Sequence, residues 1–276
     1  MGVLNLTFDS FSDGGQYMDP DRAAAHALTM EAEGAGIIDI GGESTRPGAE
    51  PVSEAEELAR VVPVLERLRG KLRAAISIDT CKAAVARAAM ELGAEIINDI
   101  TALSGDPAMA AVARETGAGV VLMHMQGTPK SMQLAPHYND VVAEVREFFL
   151  QKRQFALDSG LDAERLAYDP GIGFGKRVEH NVALLGRLGE LRVEGRPIVL
   201  GVSRKSFIGR LLNDMTLERR YWPTVALTSL GRELGAEVVR VHDVRPNREA
   251  LLMTEAILHA EAPPGNATPS SARPSL

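Results

Sequence analysis

The chain alternates short apolar runs with longer segments of helical periodicity, and this alternation recurs about eight times along its length. The run from Ile198 to Val202 is an example, because it carries no polar residue. Such a run is typical of a strand buried on both faces of a parallel sheet that helices cover. About eight evenly spaced strand–helix units predict an α/β fold, a single (β/α)8 TIM barrel. A doubly wound open sheet is the alternative, and the count and the even spacing favour the closed barrel.

The barrel is predicted to span residues 1–260 as one domain, since barrels of about 250 residues are common. The segment 261–276 is rich in proline, serine and alanine without periodicity, so we expect a disordered tail. The strands are expected at residues 2–6, 37–40, 75–79, 95–98, 119–124, 166–169, 198–202 and 237–242.

Nearly every predicted strand ends in or just before a polar residue: Asn5, Asp39, Asp79, Asn98, His124, Asp169, Lys205, and Arg240 with His242. In TIM barrels the carboxyl ends of the strands form the rim that carries the active site. We therefore expect these side chains to form a polar ring at one mouth of the barrel. Helix capping could explain one such residue, but not a ring drawn from almost all strands.

Charge and composition narrow the choice of partners. The chain holds 30 basic and 37 acidic residues and no basic block, which argues against a nucleic-acid partner. No apolar run approaches the ~20 residues of a membrane span, and the N-terminus does not have the pattern of a signal peptide. Its one cysteine, Cys81, excludes an internal disulfide and suits a reducing compartment. We expect a cytoplasmic protein with no membrane or nucleic-acid partner.

The ring has a definite chemistry. The carboxylates of Asp79 and Asp169 and the amide of Asn98 can bind the N–H and amino edge of a flat heterocycle. Arg240 and His242 lie two residues apart on one strand, so both can face one side and bind a phosphate group. The glycine-rich loop 171–175 lets the backbone approach a ligand, although its spacing is neither that of a Walker A loop nor of a dinucleotide fingerprint.

With these residues in view, the chain resembles the dihydropteroate synthase family over about residues 1–260. Eight blocks carry the resemblance in the right order, and together they are far more specific than any one alone. They lie at residues 5–15, 39–48, 77–79, 97–99, 123–125, 169–176, 203–206 and 240–244.

The resemblance implies a step of folate synthesis, in which 6-hydroxymethyl-7,8-dihydropterin pyrophosphate condenses with p-aminobenzoate. The implied pterin-binding residues are Asp79, Asn98, Asp169, Gly201 and Lys205. The implied pyrophosphate-binding residues are Asn5, Thr45, Arg240 and His242. The implied aminobenzoate pocket comprises Phe11, Thr45, Arg46, Pro47, Phe174, Lys205 and Ser206.

The resemblance also implies that Asn5 and Asp13 bind a Mg²⁺ ion on the pyrophosphate. No side-chain nucleophile is needed, because pyrophosphate leaves before the aromatic amine attacks. Catalysis would then depend on Asp79, Lys205, Arg240 and His242. Sulfonamides, which mimic aminobenzoate, are expected inhibitors, and a homodimer is expected.

Two rival functions stay open. The pterin-binding barrels of corrinoid-dependent methyltransferases share the carboxylate and amide pattern, but would not need the Ser-Thr-Arg-Pro-Gly block at 44–48. A paralogue that binds a pterin without turnover is the other rival, and Phe8, where the family has proline, is one departure in its favour. His124 and Cys81 are expected to have structural roles.

Overall fold

The computed structural model describes residues 1–6, 19–45, 48–128 and 131–260. Its strands are β1 (Gly2–Asn5), β2 (Ile37–Gly41), β3 (Ala75–Asp79), β4 (Ile96–Asp99), β5 (Gly119–Met123), β6 (Leu166–Asp169), β7 (Val199–Leu200) and β8 (Val238–Val239). Its α-helices are α1 (Pro20–Ala32), α2 (Glu54–Leu68), α3 (Ala83–Glu91), α4 (Met109–Thr116), α5 (Val141–Asp158), α6 (Val178–Gly186), α7 (Ser206–Leu211), α8 (Tyr221–Glu233) and α9 (Val244–Leu258).

The strands are parallel and follow one another around a closed ring. Strands β1 to β6 form one sheet in sequence order, and β7 pairs with β8. The ring closes through two bridges, Tyr168 with Ile198 and Gly2 with Val241. Backbone N–H groups of Tyr168 and Val3 donate to Pro197 and Val241 at 2.9 and 3.0 Å across these joints. The predicted TIM barrel is therefore confirmed.

The sequence explains the local elements. Asp19, Ser53 and Asp140 precede α1, α2 and α5, and each side chain accepts a hydrogen bond from a first-turn N–H. In α2 the buried residues Val61, Val64, Leu65 and Leu68 recur at helical spacing and face the barrel. The helices thus cover the outside of the sheet, and the strand ends carry the polar groups.

Two details differ from the sequence prediction. Strands β7 and β8 are two residues long, because the ladder is regular only where they pair with each other. Two helices, α7 and α8, separate them.

Several predicted residues lie outside the described part of the chain: Phe8, Phe11, Asp13, Arg46, Pro47 and the tail 261–276. Within the described part, none of the helices has both the length and the apolar character to cross a bilayer.

Candidate active site

Strand register places three predicted site residues and Gly41 side by side. Asn5 pairs with Gly41, Gly41 with Asp79, and Asp79 with Asn98, on β1 to β4. Neighbours in register on parallel strands point to the same side of the sheet. Asn5, Asp79 and Asn98 therefore lie in one tier at the carboxyl rim, as predicted, whereas Asp39 pairs with Val3 and Ser77 and lies one tier deeper.

Arg240 ties this tier together across the barrel. Its Nε donates to Asp39 Oδ2 at 2.6 Å, and its Nη2 donates to Asp79 Oδ2 at 2.7 Å. Asn98 Nδ2 also donates to Asp39 Oδ2, at 3.1 Å. Asp39 is fully buried, so it serves as the inner counter-charge of the group. Arg240 was predicted to bind pyrophosphate, and that role stays a prediction.

Burial sets the protonation of these groups. It raises the pKa of Asp79 to about 7, although the Arg240 guanidinium acts in the opposite direction. Burial also raises the pKa of Asp169. The N–H of Gly171, which donates to Asp169 Oδ1 at 2.7 Å, acts to lower that pKa. Burial lowers the pKa of Lys205 to about 8, with Asp169 opposing it. Burial at the barrel mouth therefore shifts the pKa values of Asp79, Asp169 and Lys205 in the directions that favour their neutral forms.

The glycine-rich loop after β6 packs directly on its neighbour. Gly171 has φ +62°, and a Cβ there would lie 1.9 Å from the carbonyl oxygen of His124. Gly175 has φ +60°, and its Cβ would lie 2.4 Å from the carbonyl oxygen of Gln126. Only glycine suits both the backbone angle and the contact.

Lys176 holds this loop from beneath. Its side chain is buried, and Nζ donates to the carbonyls of His124, Gly171 and Phe174 at 3.3, 3.1 and 3.0 Å. Nζ also lies 2.9 Å from His124 Nδ1. Burial and Lys176 lower the pKa of His124 to about 2, so the ring is neutral and has the structural role expected of it. No role was predicted for Lys176 from the sequence. Its position directly after the glycine-rich loop could have indicated a contact with that loop.

Residues predicted for the two substrates meet at β6 and β7. Lys205 Nζ lies 4.1 Å from the centroid of the Phe174 ring, a cation–π distance. A Cβ on Gly201 would lie 3.8 Å from Asp169 Oδ2. Ser206 begins α7 directly after Lys205 and is exposed. The structure therefore brings together Asp169, Gly201, Lys205 and Phe174.

Two links join the loop after β7 to the loop after β8. Ser203 Oγ accepts from the His242 N–H at 3.2 Å and lies 3.0 Å from its Nδ1. Arg204, at φ +58°, donates from Nε and Nη2 to Asp243 at 3.0 and 2.6 Å. Lys205 and His242 are therefore held on one connected frame. Arg204 and Asp243 lie in the blocks 203–206 and 240–244 that carry the resemblance, but their mutual ion pair was not predicted.

A cavity of about 340 Å³ opens next to Asp79, among the loops after β2 to β5. Thr45 and Asp79 both border it, together with Cys81 and residues of the loops after β2, β4 and β5. Burial raises the pKa of Cys81 to about 12, so the thiol stays protonated at neutral pH, which fits the structural role expected of it. Within the described residues no group of three or more His, Cys, Asp or Glu side chains could hold a metal.

Comparisons with known proteins identify the family of the chain. The family model described as pterin binding enzyme matches residues 1–242. The dihydropteroate synthase of Escherichia coli (strain K12) is 48% identical over 261 residues, which cover 95% of this chain and 92% of that protein.

Solved structures give the same answer. The Yersinia pestis dihydropteroate synthase with a sulfonamide drug has a TM-score of 0.88 and 45% identity, covering 94% of this chain and 93% of that one. The Xanthomonas albilineans dihydropteroate synthase in complex with 7,8-dihydropteroate has a TM-score of 0.85 and 42% identity, with coverage of 94% and 93%. The chain therefore belongs to the pterin-binding enzymes, in the dihydropteroate synthase family.

Proposed function

We propose that the chain condenses 6-hydroxymethyl-7,8-dihydropterin pyrophosphate with p-aminobenzoate, giving 7,8-dihydropteroate and pyrophosphate. The observation that carries the proposal is the convergence of Asp79, Asn98, Asp169 and Lys205 on one barrel mouth next to Arg240. A related protein that binds 7,8-dihydropteroate, the product of this reaction, supports it.

The pterin ring would be held by groups on the strand ends. Asp169 has one oxygen bonded to the loop N–H of Gly171, which leaves the other for the amino edge of the ring. Asn98 supplies an amide, and Asp79 a carboxylate whose Oδ2 already accepts from Arg240. Because these groups stand on a rigid barrel, the ring would be oriented before the reaction begins.

The bond that breaks joins the pterin methylene carbon to the pyrophosphate oxygen, and both electrons leave with pyrophosphate. The aromatic amine then donates its lone pair to the methylene cation, and its extra proton is released. Arg240, His242, Asn5 and Thr45 would bind the leaving group. Charge stabilisation at the departing oxygens is the main catalytic contribution expected of these residues.

A Mg²⁺ ion fits the proposed site as a companion of the pyrophosphate. Asn5 is the one predicted ligand in the described residues, and its half-buried amide on the rim is a hard oxygen donor. One or two protein oxygens are enough, since Mg²⁺ commonly keeps waters and binds substrate phosphates. When bound, the ion would neutralise charge on the leaving group.

The second substrate would bind between Phe174, Lys205, Ser206 and Thr45, with Phe11, Arg46 and Pro47 outside the described residues. Lys205 over the Phe174 ring would give a cationic and an aromatic wall, which suits a benzoate. Sulfonamides would compete here, in agreement with the sulfonamide complex of a relative.

A homodimer belongs to the proposal. Helices α8 and α9 pack against each other, and they expose Leu230, Leu252, Met253 and Ile257, of which Ile257 is 70% exposed. Apolar side chains grouped on one face favour a protein interface. Light scattering after size-exclusion chromatography should give twice the 29.6 kDa chain mass.

A cytosolic location is proposed as well, because the free Cys81 suits a reducing compartment.

Turnover tests the proposal. The purified chain should form dihydropteroate from the two substrates with Mg²⁺, and a sulfonamide should compete with aminobenzoate. Pterin binding without product would favour the non-catalytic paralogue. Methyl transfer from methyltetrahydrofolate to a corrinoid, without dihydropteroate formation, would favour the methyltransferase.

A further inference from the structure

Outside the proposed pterin site, one ion-pair cluster joins three elements at the foot of the loop after β2. Lys82, at the start of α3, binds the carboxylates of Glu43 in that loop and of Glu57 in α2. The Lys82 Nζ lies 2.5 Å from Glu57 Oε2. The Glu57 side chain is fully buried, and its Oε1 has no partner among the described residues. A buried carboxylate of this kind requires a nearby cation.

The Lys82 ammonium is charged at neutral pH. Partial burial lowers the pKa of Lys82, but its hydrogen bonds to Glu43 and Glu57 act against this, and the net direction is upwards. Lys82 and Glu43 are only about one fifth exposed, with side-chain exposures of 22% and 19%. Water therefore screens these contacts less than it screens an ordinary surface pair.

The neighbouring backbone is fixed to the same helix. Arg60 Nη1 donates to the carbonyl oxygen of Gly42 at 2.7 Å. A Cβ on Gly42 would lie 2.8 Å from Glu57 Cγ, so the chain passes directly over the buried carboxylate. Residues 42 and 43 are thus held by α2 from one side and by α3 from the other.

These contacts fix the short segment that leads to Thr45. Glu43, Ser44 and Thr45 line the 340 Å³ cavity together with Asp79, and Thr45 is predicted to contact both pyrophosphate and aminobenzoate. A change in the direction of residue 43 would displace Thr45 relative to Asp79. Displacements of about 1 Å can cost about a hundredfold in rate.

We propose that Lys82 is a positioning residue: by joining Glu43 to Glu57 it fixes the stem of the loop after β2, and so sets the affinity for the second substrate without contributing to pterin binding. The proposal rests on the proposed function, because it assigns Thr45 to that reaction. Lys82 itself touches no substrate.

Glu43→Gln is the main test, because it releases the loop while Glu57 keeps its cation. We expect its KM for aminobenzoate to rise at least about fivefold, with the affinity for 6-hydroxymethylpterin by calorimetry within about twofold of wild type. Lys82→Met should raise the same KM at least as much and lower the melting temperature, and Lys82→Arg should recover most of the KM. Glu115→Gln, which breaks the exposed Arg87–Glu115 pair, is the matched control and should leave both quantities unchanged.

An unchanged KM in Glu43→Gln would overturn the proposal, and so would parallel losses of pterin affinity and of aminobenzoate KM, which indicate general damage. Lack of turnover by the wild type would contradict the proposed function instead. The affinity for a sulfonamide, measured by calorimetry in the presence of 6-hydroxymethylpterin, pyrophosphate and Mg²⁺, then tests the second-substrate pocket without turnover. Weaker binding by Glu43→Gln than by wild type supports the proposal, and equal binding overturns it.

Discussion

Arg240 donates from Nη2 to Asp79 Oδ2 at 2.7 Å, so the cation assigned to the leaving group is paired with the carboxylate assigned to the pterin ring. The two parts of the proposed substrate therefore share one ion pair. A carboxylate can accept about four hydrogen bonds, so Asp79 can bind the ring without releasing Arg240. Asp39, bonded to Arg240 Nε, keeps the guanidinium in place on its other edge.

The pH dependence of stability follows from Asp79, whose pKa burial raises from 3.8 to about 7. A raised carboxyl pKa contributes stability that is complete below about 4 and is lost as pH rises through about 7. Asp79→Asn removes this titration. The variant should therefore gain free energy of unfolding relative to wild type between pH 4 and pH 8, by at most about 4 kcal/mol. Urea unfolding at several pH values measures the difference, and a constant difference over this range would contradict it.

Asp169→Asn should lose most of the pterin affinity, at least about tenfold, because its amide oxygen stays on the Gly171 N–H and an NH2 donor then faces the N–H groups of the ring edge. The fold should survive, since the change removes a buried charge and keeps an oxygen near the Gly171 N–H. Calorimetry with 6-hydroxymethylpterin is the measurement. Asp158→Asn, on the exposed face of α5, is the control. Near-normal pterin binding by Asp169→Asn would exclude it from the site.

Lys176→Met should lower the free energy of unfolding by about 3 kcal/mol or more, because it leaves three buried carbonyls without their donor. The glycine-rich loop should loosen, so the KM for the pterin substrate should rise as well. Lys152→Met, at a less buried lysine on α5, provides the comparison. If denaturant unfolding gives equal stabilities for the two variants, the four contacts of Lys176 do not hold the loop.

The sequence predicted the barrel and most of the rim because both depend on local patterns. Apolar runs mark buried strands, and residues such as Asp79 and Asn98 fall side by side once the strands are in register. The partners of Arg240 could not be predicted in this way. Asp39 lies 201 residues away, and the ion pair exists only because the barrel closes.

Lys82 and Lys176 were missed for a related reason. Each binds groups on other elements or loops, and neither stands at a strand end. Their importance depends on burial, which a single charged residue in a sequence does not indicate. The short lengths of β7 and β8 likewise depend on how the ring closes and not on their apolar runs.

Ser203 is buried in the loop after β7, and its hydroxyl contacts two atoms of His242, the backbone N–H and the ring Nδ1. Ser203→Ala removes one hydroxyl and no charge, so the fold should lose only about 1 kcal/mol. The His242 ring, however, loses its Nδ1 contact with the hydroxyl, which helps to orient it. If His242 stabilises the departing pyrophosphate, kcat should fall roughly tenfold, with the KM for aminobenzoate nearly unchanged.

Ser203→Thr, which keeps the hydroxyl, should recover part of kcat. A variant with lower melting temperature but normal kcat would show that Ser203 only packs the joint between the two loops. A normal kcat in Ser203→Ala would also mean that the Ser203 hydroxyl is not needed to orient the His242 ring. A fall in kcat alone would show that the loop after β7 contributes to the departure of pyrophosphate. Arg204 and Lys205, which follow Ser203 in this loop, contact Asp243 and Phe174.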